Sequence, residues 1–409
     1  MRKSPRPVPL IQIVSISILG GGLINAATAA FTGIEKMELN SVMLVCQSII
    51  KTFVIITLVI LGLGTAGATI GFTVGILMAG LIGIILTWTL YRKLPKPSNH
   101  KLEIKAYIAA MFQYGAPISL SAIISGFLGQ FYAFLLPIYY STDNVAIGNY
   151  GIAANFVVLI SFFVLPISTM LFPAFSKIDP QKDKGTFKNV FQYSVKYASL
   201  LVVPVAALII CLSEPAVSTL FGSTYGAAPL FLALLSFSYL YAAFGSLSME
   251  NLIKSQGQTK YFFKLTIITA AIGFPMGAIL ILRFGVLGLI VSTLTAGLPS
   301  IFLSLRWIKR HYDVSVDWSS SARILLSSTV AAAVTFLVNS QLGFASWIRL
   351  IVGVVVFVLV VAVAAVLTRA INQSDIGSLR DMTSSLGFVG RLLNKFLGFM
   401  EKLMKTLKT

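Results

Sequence analysis

The sequence is short of charge, and shorter still of acids. Only 11% of its 409 residues are charged, 13 of them carboxylates against 31 Lys and Arg. Soluble domains carry about 25% charged residues, so a chain that is 57% hydrophobic cannot cover its own surface in water. The carboxylates all fall in loops or near the ends of apolar segments, leaving no acid at mid-segment to exchange ions. There are 2 histidines and 2 cysteines. His100 and His311 sit in polar connections without metal-ligand spacing. Cys46 and Cys211 fall in apolar stretches and read as small buried hydrophobes, not a disulfide pair. A membrane hydrolase or glycan-joining enzyme needs a positioned base, nucleophile or metal cluster. None is visible, so no catalytic residue, metal or cofactor is expected. A net charge of +18 would point to nucleic acid in a soluble protein. Here the cations gather in loops and the C-terminal tail, where they set topology and meet anionic lipid, so nucleic acid is not an expected partner.

What the chain has is long apolar runs. Val354 to Ala365 holds only Val, Phe, Leu and Ala, and a bilayer core of ~30 Å takes ~20 such residues as a helix. About eleven runs qualify: 9–32, 41–62, 66–90, 110–138, 146–174, 192–213, 226–248, 262–282, 285–305, 322–340 and 346–368. They are too long and too uniform for barrel strands, and the first is too long for a signal peptide. The fold class is all-α, polytopic in the membrane. Lys and Arg alternate between connections: Arg92, Lys93, Lys96, Lys101 and Lys105 after the third run, none near Ser141. Lys177, Lys182, Lys184 and Lys188 follow the fifth run, then none near Glu214. Lys254 and Lys260 come next, then Arg306, Lys309, Arg310 and Arg323, and seven more from Arg369 onward. The basic side, and with it the C-terminus, is expected in the cytoplasm. Arg349 is a lone exception. Eleven spans then put the N-terminus outside, although it carries Arg2, Lys3 and Arg6.

Two stretches repeat one layout. Phe31 to Lys36 is a polar turn, followed by a span and a Gly64-x-x-Gly67 reversal. Lys254 to Lys260 is another such turn, followed by a span and Gly285-x-x-Gly288, 221 residues on. Glycine permits tight reversal and close helix approach, and parallel repeats about the membrane normal are a transporter architecture. Three spans precede the second copy without counterparts before the first. The expectation is therefore an incomplete first lobe lacking three helices, which also accounts for the basic N-terminus.

Gln113-Tyr-Gly-Ala-Pro117-Ile-Ser-Leu, Ala146-Ile-Gly-Asn-Tyr150-Gly-Ile-Ala-Ala-Asn and Leu171-Phe-Pro-Ala-Phe-Ser176, with the paired turns and reversals, carry a resemblance. The chain resembles Wzx-like flippases of the multidrug/oligosaccharidyl-lipid/polysaccharide exporter superfamily, over nearly its whole length to about residue 370. That resemblance implies two pseudo-symmetric lobes around a central cavity. It also implies translocation of isoprenoid-pyrophosphate-linked oligosaccharide across the cytoplasmic membrane by alternating access. Many relatives carry an Asp in the first helix of the second lobe, where this chain has Gln130 and Tyr132. A cation-coupled multidrug-type antiporter on the same scaffold is the alternative, disfavoured by the missing acids. A glycan polymerase or ligase would need a long outer loop with Arg or His, which is lacking.

The expected division is a remnant N-terminal lobe at 1–92, a basic loop at 93–109 and a C-terminal lobe at 110–306. An extra helix pair at 307–370 and an amphipathic tail at 371–409 complete it. A charge at mid-membrane costs ~2.5–3.5 kcal/mol on insertion scales, which singles out Lys51, halfway along the second run, as a cation for pyrophosphate. Snorkelling is the competing explanation. Lys196, Lys264 and Arg283 are further cationic candidates nearer segment ends. Gln113, Gln130, Asn149 and Asn155 could bond sugar hydroxyls, although helix–helix bonding is the commoner use of amides, and Tyr132 could stack on a sugar. Prolines 117, 137, 166, 173, 204 and 275 fall within or at the ends of spans as candidate bends. In the tail, Leu386, Val389, Leu393, Phe396, Met400, Leu403 and Leu407 make one apolar helical face with Arg391, Lys395, Lys402 and Lys405 on another. That face is expected to lie on anionic lipid or to dock glycan-assembly enzymes.

Overall fold

The computed structural model describes residues 7–93, 104–140, 144–383, 394–395, 397–398, 400–402 and 404. Among these, every regular element is helical. The N-terminal cations Arg2, Lys3 and Arg6, loop residues Lys96 and Lys101, and tail positions 386, 389, 391, 393, 396, 403, 405 and 407 lie outside the described residues. The chain forms two compact units, Met1–Ile104 and Lys105–Thr409.

The first unit is three helices: α1 (Pro7–Gly33), α2 (Met37–Leu58) and α3 (Gly64–Arg92), with a π-helical turn at Val59–Leu63. Small residues at four-residue intervals on α3 let it press against its neighbours. A β-carbon at Gly67 would stand 2.9 Å from Leu58 Cβ, one at Gly71 2.6 Å from Ile55 and one at Gly75 2.6 Å from Lys51 Cβ. These contacts descend α2 as they climb α3, so the pair is an antiparallel hairpin. On the other side Gly80 meets Leu23 and Gly83 meets Ala27, which sets α1 parallel to α3. Without hydrophobic drive between helices in lipid, such close approach supplies the association.

The second unit begins with α4 (Ile104–Tyr139), α5 (Asn144–Ser176) and α6 (Lys184–Cys211). A short α7 (Ser213–Phe221) follows, then α8 (Ala228–Ser236), a 3₁₀ stretch Phe237–Phe244, and α9 (Ser246–Ser255). The rest is α10 (Thr259–Ala296), α11 (Leu298–Tyr312), α12 (Trp318–Gln341), α13 (Ser346–Leu367) and α14 (Gln373–Thr383). The chain of α10 turns back at Gly285. Tyr261 donates to Leu303 O (3.0 Å), Thr269 and Ser300 hydroxyls pair at 2.6 Å, and Thr295 reaches Met276 Sδ at 3.6 Å. Such pairs exist only if 285–312 runs antiparallel to 259–284. Pro117, Pro166 and Pro204 lie inside helices that continue through them.

Among the described residues eight helices are long and apolar enough to cross a membrane, two of them spanning 56 and 54 residues. Those two are the hairpins at Gly64 and Gly285. Counting each as two crossings and the bent α8–α9 pair as one gives the eleven read from the sequence. The sequence reading placed 226–248 as one straight run. The structure breaks it at Gly245, whose left-handed φ of 82° follows the 3₁₀ stretch, with a bend of 58°.

The internal repeat is visible atom by atom. Ile34, Glu35 and Lys36 amides donate to Ala30, Thr32 and Phe31 carbonyls, and Leu39 to Lys36. Gln256, Gly257, Gln258 and Tyr261 do the same to Leu252, Lys254, Ile253 and Gln258, each 222 residues later. Both are Schellman turns with a left-handed residue, Glu35 at φ 60° and Gly257 at φ 71°. At the reversals, Gly64 has φ 53° and ψ −129° and Gly285 has φ 54° and ψ −128°. The offset there is 221. The register changes by one residue across the π-helical turn Val59–Leu63, the usual signature of a one-residue insertion.

Met400, expected to face lipid, is 2% exposed and packs with Leu397 and Met404 in a cluster containing Ala370, Ile376, Ala362 and Val203. Cys46 and Cys211 are free and half-buried.

Candidate functional site

The nine candidate residues divide between the units: Lys51 in the first, the other eight in the second. Lys51 is half-buried in α2, its backbone pressed against Gly75. Its ammonium has no hydrogen-bond or ion-pair partner among the described residues. In the repeat its position corresponds to Gly273, which carries no charge and receives the Tyr132 side chain.

Three candidates are committed elsewhere. Tyr132 is 6% exposed, donates to Gly273 O at 2.9 Å, and lies against Gly277. The glycines admit its ring, so the residue joins α4 to α10. Asn149, 2% exposed, accepts from the amides of Ala227 and Ala228 (3.1 and 2.8 Å) and donates to Val145 O. It caps α8 from α5, binding two donors at the helix start, of which the Ala228 amide also reaches Tyr225 O. Lys196 binds Asp375 Oδ2 at 2.5 Å, with side-chain exposures of 12% and 2%. The same carboxylate accepts from the Asn372 amide at 2.7 Å and the Tyr197 hydroxyl at 3.3 Å, fixing the start of α14 to α6.

The remaining five are exposed. Gln113 and Gln130 on α4 and Asn155 on α5 have no hydrogen-bond partner among the described residues. Lys264 lies near the start of α10 and Arg283 just before its reversal.

Sequence reasoning missed three polar features. Arg349, the lone exception to the charge alternation, pairs with Glu214 at 2.8 Å. Asp375 was read as a tail residue, because nothing in its neighbourhood signals a partner 179 positions away. A cavity of about 200 Å³ in the second unit is lined by Ser125, Thr266, Thr269, Ser300, Ser304 and Glu250, among others. Glu250 there pairs with Lys254 at 2.5 Å, and Lys254 lies 4.2 Å over the Phe262 ring. Outside the spans, Asp183 and Asp317 cap α6 and α12, and their carboxyls are held below the usual range. For Asp183 the cause is the Thr186 amide; for Asp317 it is first the Ser320 hydroxyl. No cluster of three or more His, Cys, Asp or Glu suited to a metal occurs among the described residues.

Residues 1–230 match the sequence profile of the family described as polysaccharide biosynthesis protein. The chain belongs to that family. The resemblance drawn from residues 113–176 therefore stands. The chain is 23% identical over 310 residues to the probable low-salt glycan biosynthesis flippase Agl15 of Haloferax volcanii, covering 74% of this chain and 63% of that protein. It is 25% identical over 295 residues to the uncharacterized membrane protein MJ1068 of Methanocaldococcus jannaschii, covering 69% and 57%. The alignment thus spans less than two thirds of either relative's length. The structure superposes on the lipid II flippase MurJ in its inward closed conformation with TM-score 0.66 at 18% identity, covering 88% of this chain and 74% of that one. The fold is shared with that flippase.

Proposed function

We propose that this polysaccharide biosynthesis family member is a flippase. It carries isoprenoid-pyrophosphate-linked oligosaccharide across the cytoplasmic membrane by alternating access, with its C-terminus in the cytoplasm. The observation that carries the reading is Lys51. A cation at mid-membrane is costly, Lys51 has no carboxylate partner among the described residues, and the matching position of the repeat, Gly273, carries no charge. The fold does not require the charge, so the charge serves an anionic ligand, and pyrophosphate is the dense anion of a lipid-linked glycan. Gln113, Gln130 and Asn155, exposed and unpartnered, offer amides to sugar hydroxyls. The relatives named for glycan biosynthesis and for lipid II support the substrate class, and the parallel repeat supports rocking of related bundles. Lys264 and Arg283 are secondary cations in this scheme, and enzymes that assemble the glycan are its natural partners.

The test is glycan export in cells stripped of their own flippase. Lys51→Ala is expected to lose at least tenfold in export at equal membrane abundance, and Lys51→Arg to retain most of it. Undiminished export by Lys51→Ala removes Lys51 from the mechanism.

A further inference from the structure

At one end of the α10–α11 hairpin three rings stack. Tyr261 and Trp307 lie 4.6 Å apart at 18°, and Trp307 and His311 4.2 Å apart at 25°. Trp307 also meets Tyr312 edge-on at 5.6 Å, and Tyr312 meets Phe187 at 5.1 Å. Through Phe187 the stack joins a buried cluster with Phe175 and Phe191. The Tyr261 hydroxyl is fixed to Leu303 O. The surface is therefore rigid before anything binds it, which lowers the entropic cost of binding.

Cations flank the stack on both helices. Lys260 and Lys264, one turn apart on α10, and Arg306 and Arg310, one turn apart on α11, are all exposed, as is Lys309. None has an ion pair among the described residues. The 54 residues from Thr259 to Tyr312 contain no Asp or Glu, so the hairpin holds no counter-ion of its own. Of the acids just beyond, Asp317 is engaged with Ser319 and Ser320 and Glu250 with Lys254, while Asp313 lies exposed at the end of α11. Aromatic rings and cations together at the end of membrane-length helices are the chemistry of the headgroup layer.

We propose that the Tyr261–Trp307–His311 stack, with Lys260, Arg306, Lys309 and Arg310, forms a binding site for the phosphate headgroup of an anionic phospholipid. The rings sit at the level where acyl chain meets headgroup, and the guanidinium groups of Arg306 and Arg310 hold the phosphate. The site is independent of the translocated substrate and is occupied by bulk lipid of the leaflet on that side. Each cation near an anionic surface contributes about fivefold in binding, so two arginines together are worth about thirtyfold.

Trp307 is a built-in reporter. In the full-length chain carrying Trp88→Phe, Trp318→Phe and Trp347→Phe, Trp307 is the only indole left. This protein, reconstituted in bilayers of phosphatidylcholine and phosphatidylglycerol, is titrated with brominated versions of each. Brominated phosphatidylglycerol is expected to quench Trp307 at a much lower mole fraction than brominated phosphatidylcholine. Arg306→Gln with Arg310→Gln should erase most of that preference. A matched protein keeping only Trp347, near the start of α13, should show no comparable preference, because the neighbouring cation Arg349 is paired with Glu214. Equal quenching by the two lipids, or a preference that survives the arginine substitutions, overturns the proposal. Emission and circular dichroism of the double variant, unchanged from the parent, establish that the stack is intact when the preference is read.

Discussion

Removing the Asp375 carboxylate should unclamp the C-terminal helix from the membrane body. Asp375 is 2% exposed and Lys196 12%, so solvent screens the pair little. Asp375→Ala leaves the Lys196 ammonium buried and uncompensated, and deleting one partner of a buried pair costs about 3–5 kcal/mol. It also removes the acceptor of the Asn372 amide, a helix-start bond worth about 1 kcal/mol. Lys196→Met should cost less, because Asp375 keeps its bonds from Asn372 and Tyr197. The double variant should recover part of the loss, giving a coupling energy above about 1.5 kcal/mol. Because α14 docks as a unit at the edge of the core, the loss is read locally, as faster amide exchange across 373–383 in detergent or nanodiscs. Additive single and double variants, or unchanged exchange in Asp375→Ala, would refute the reasoning.

The two reversal glycines make a matched pair. Gly64→Ala and Gly285→Ala both force a side chain to a positive φ with ψ near −130°, a strain of about 1–3 kcal/mol. Only Gly285 also faces Tyr140, whose ring lies 3.1 Å from the added carbon. Thermal unfolding should therefore fall in both, and further in Gly285→Ala. Equal tolerance of both substitutions would count against the hairpin assignment. Acid should loosen the start of α12. The Asp317 carboxyl is held below its usual 3.8 by Ser320, so its contribution is complete above that value and fades as pH falls through the lower folded one. Amide protection of Ser319 to Ser321 should drop below about pH 4, and Asp317→Asn should remove that pH dependence.

Much of the fold was legible because lipid forbids unpaired backbone and leaves length and apolarity as the signal. That signal marked the eleven segments, with ends up to eight residues from those of the helices. The repeat was legible because left-handed backbone at a reversal demands glycine at Gly64 and Gly285. The copy that uses Glu35 where the other uses Gly257 was not, since no sequence rule marks a non-glycine left-handed cap. The break at Gly245 was hidden inside uniformly apolar sequence, where 3₁₀ and α patterns look alike. The candidate site was read less well. Polar residues inside spans were visible, but their partners depend on contacts distant in sequence. Tyr132 turned out to be seated on Gly273, Asn149 to cap α8, and Lys196 to meet Asp375. Lys51 kept its candidacy because none of the described residues answers its charge.

Transport by the purified protein tests the central claim most directly. The chain is reconstituted in liposomes holding a labelled polyisoprenyl-pyrophosphate oligosaccharide in both leaflets, and a membrane-impermeant sugar oxidant is added outside. Wild-type protein is expected to bring the protected inner pool into reach of the oxidant, and Lys51→Ala liposomes to keep it protected. An inner pool that stays protected with well-folded wild-type protein would contradict the account.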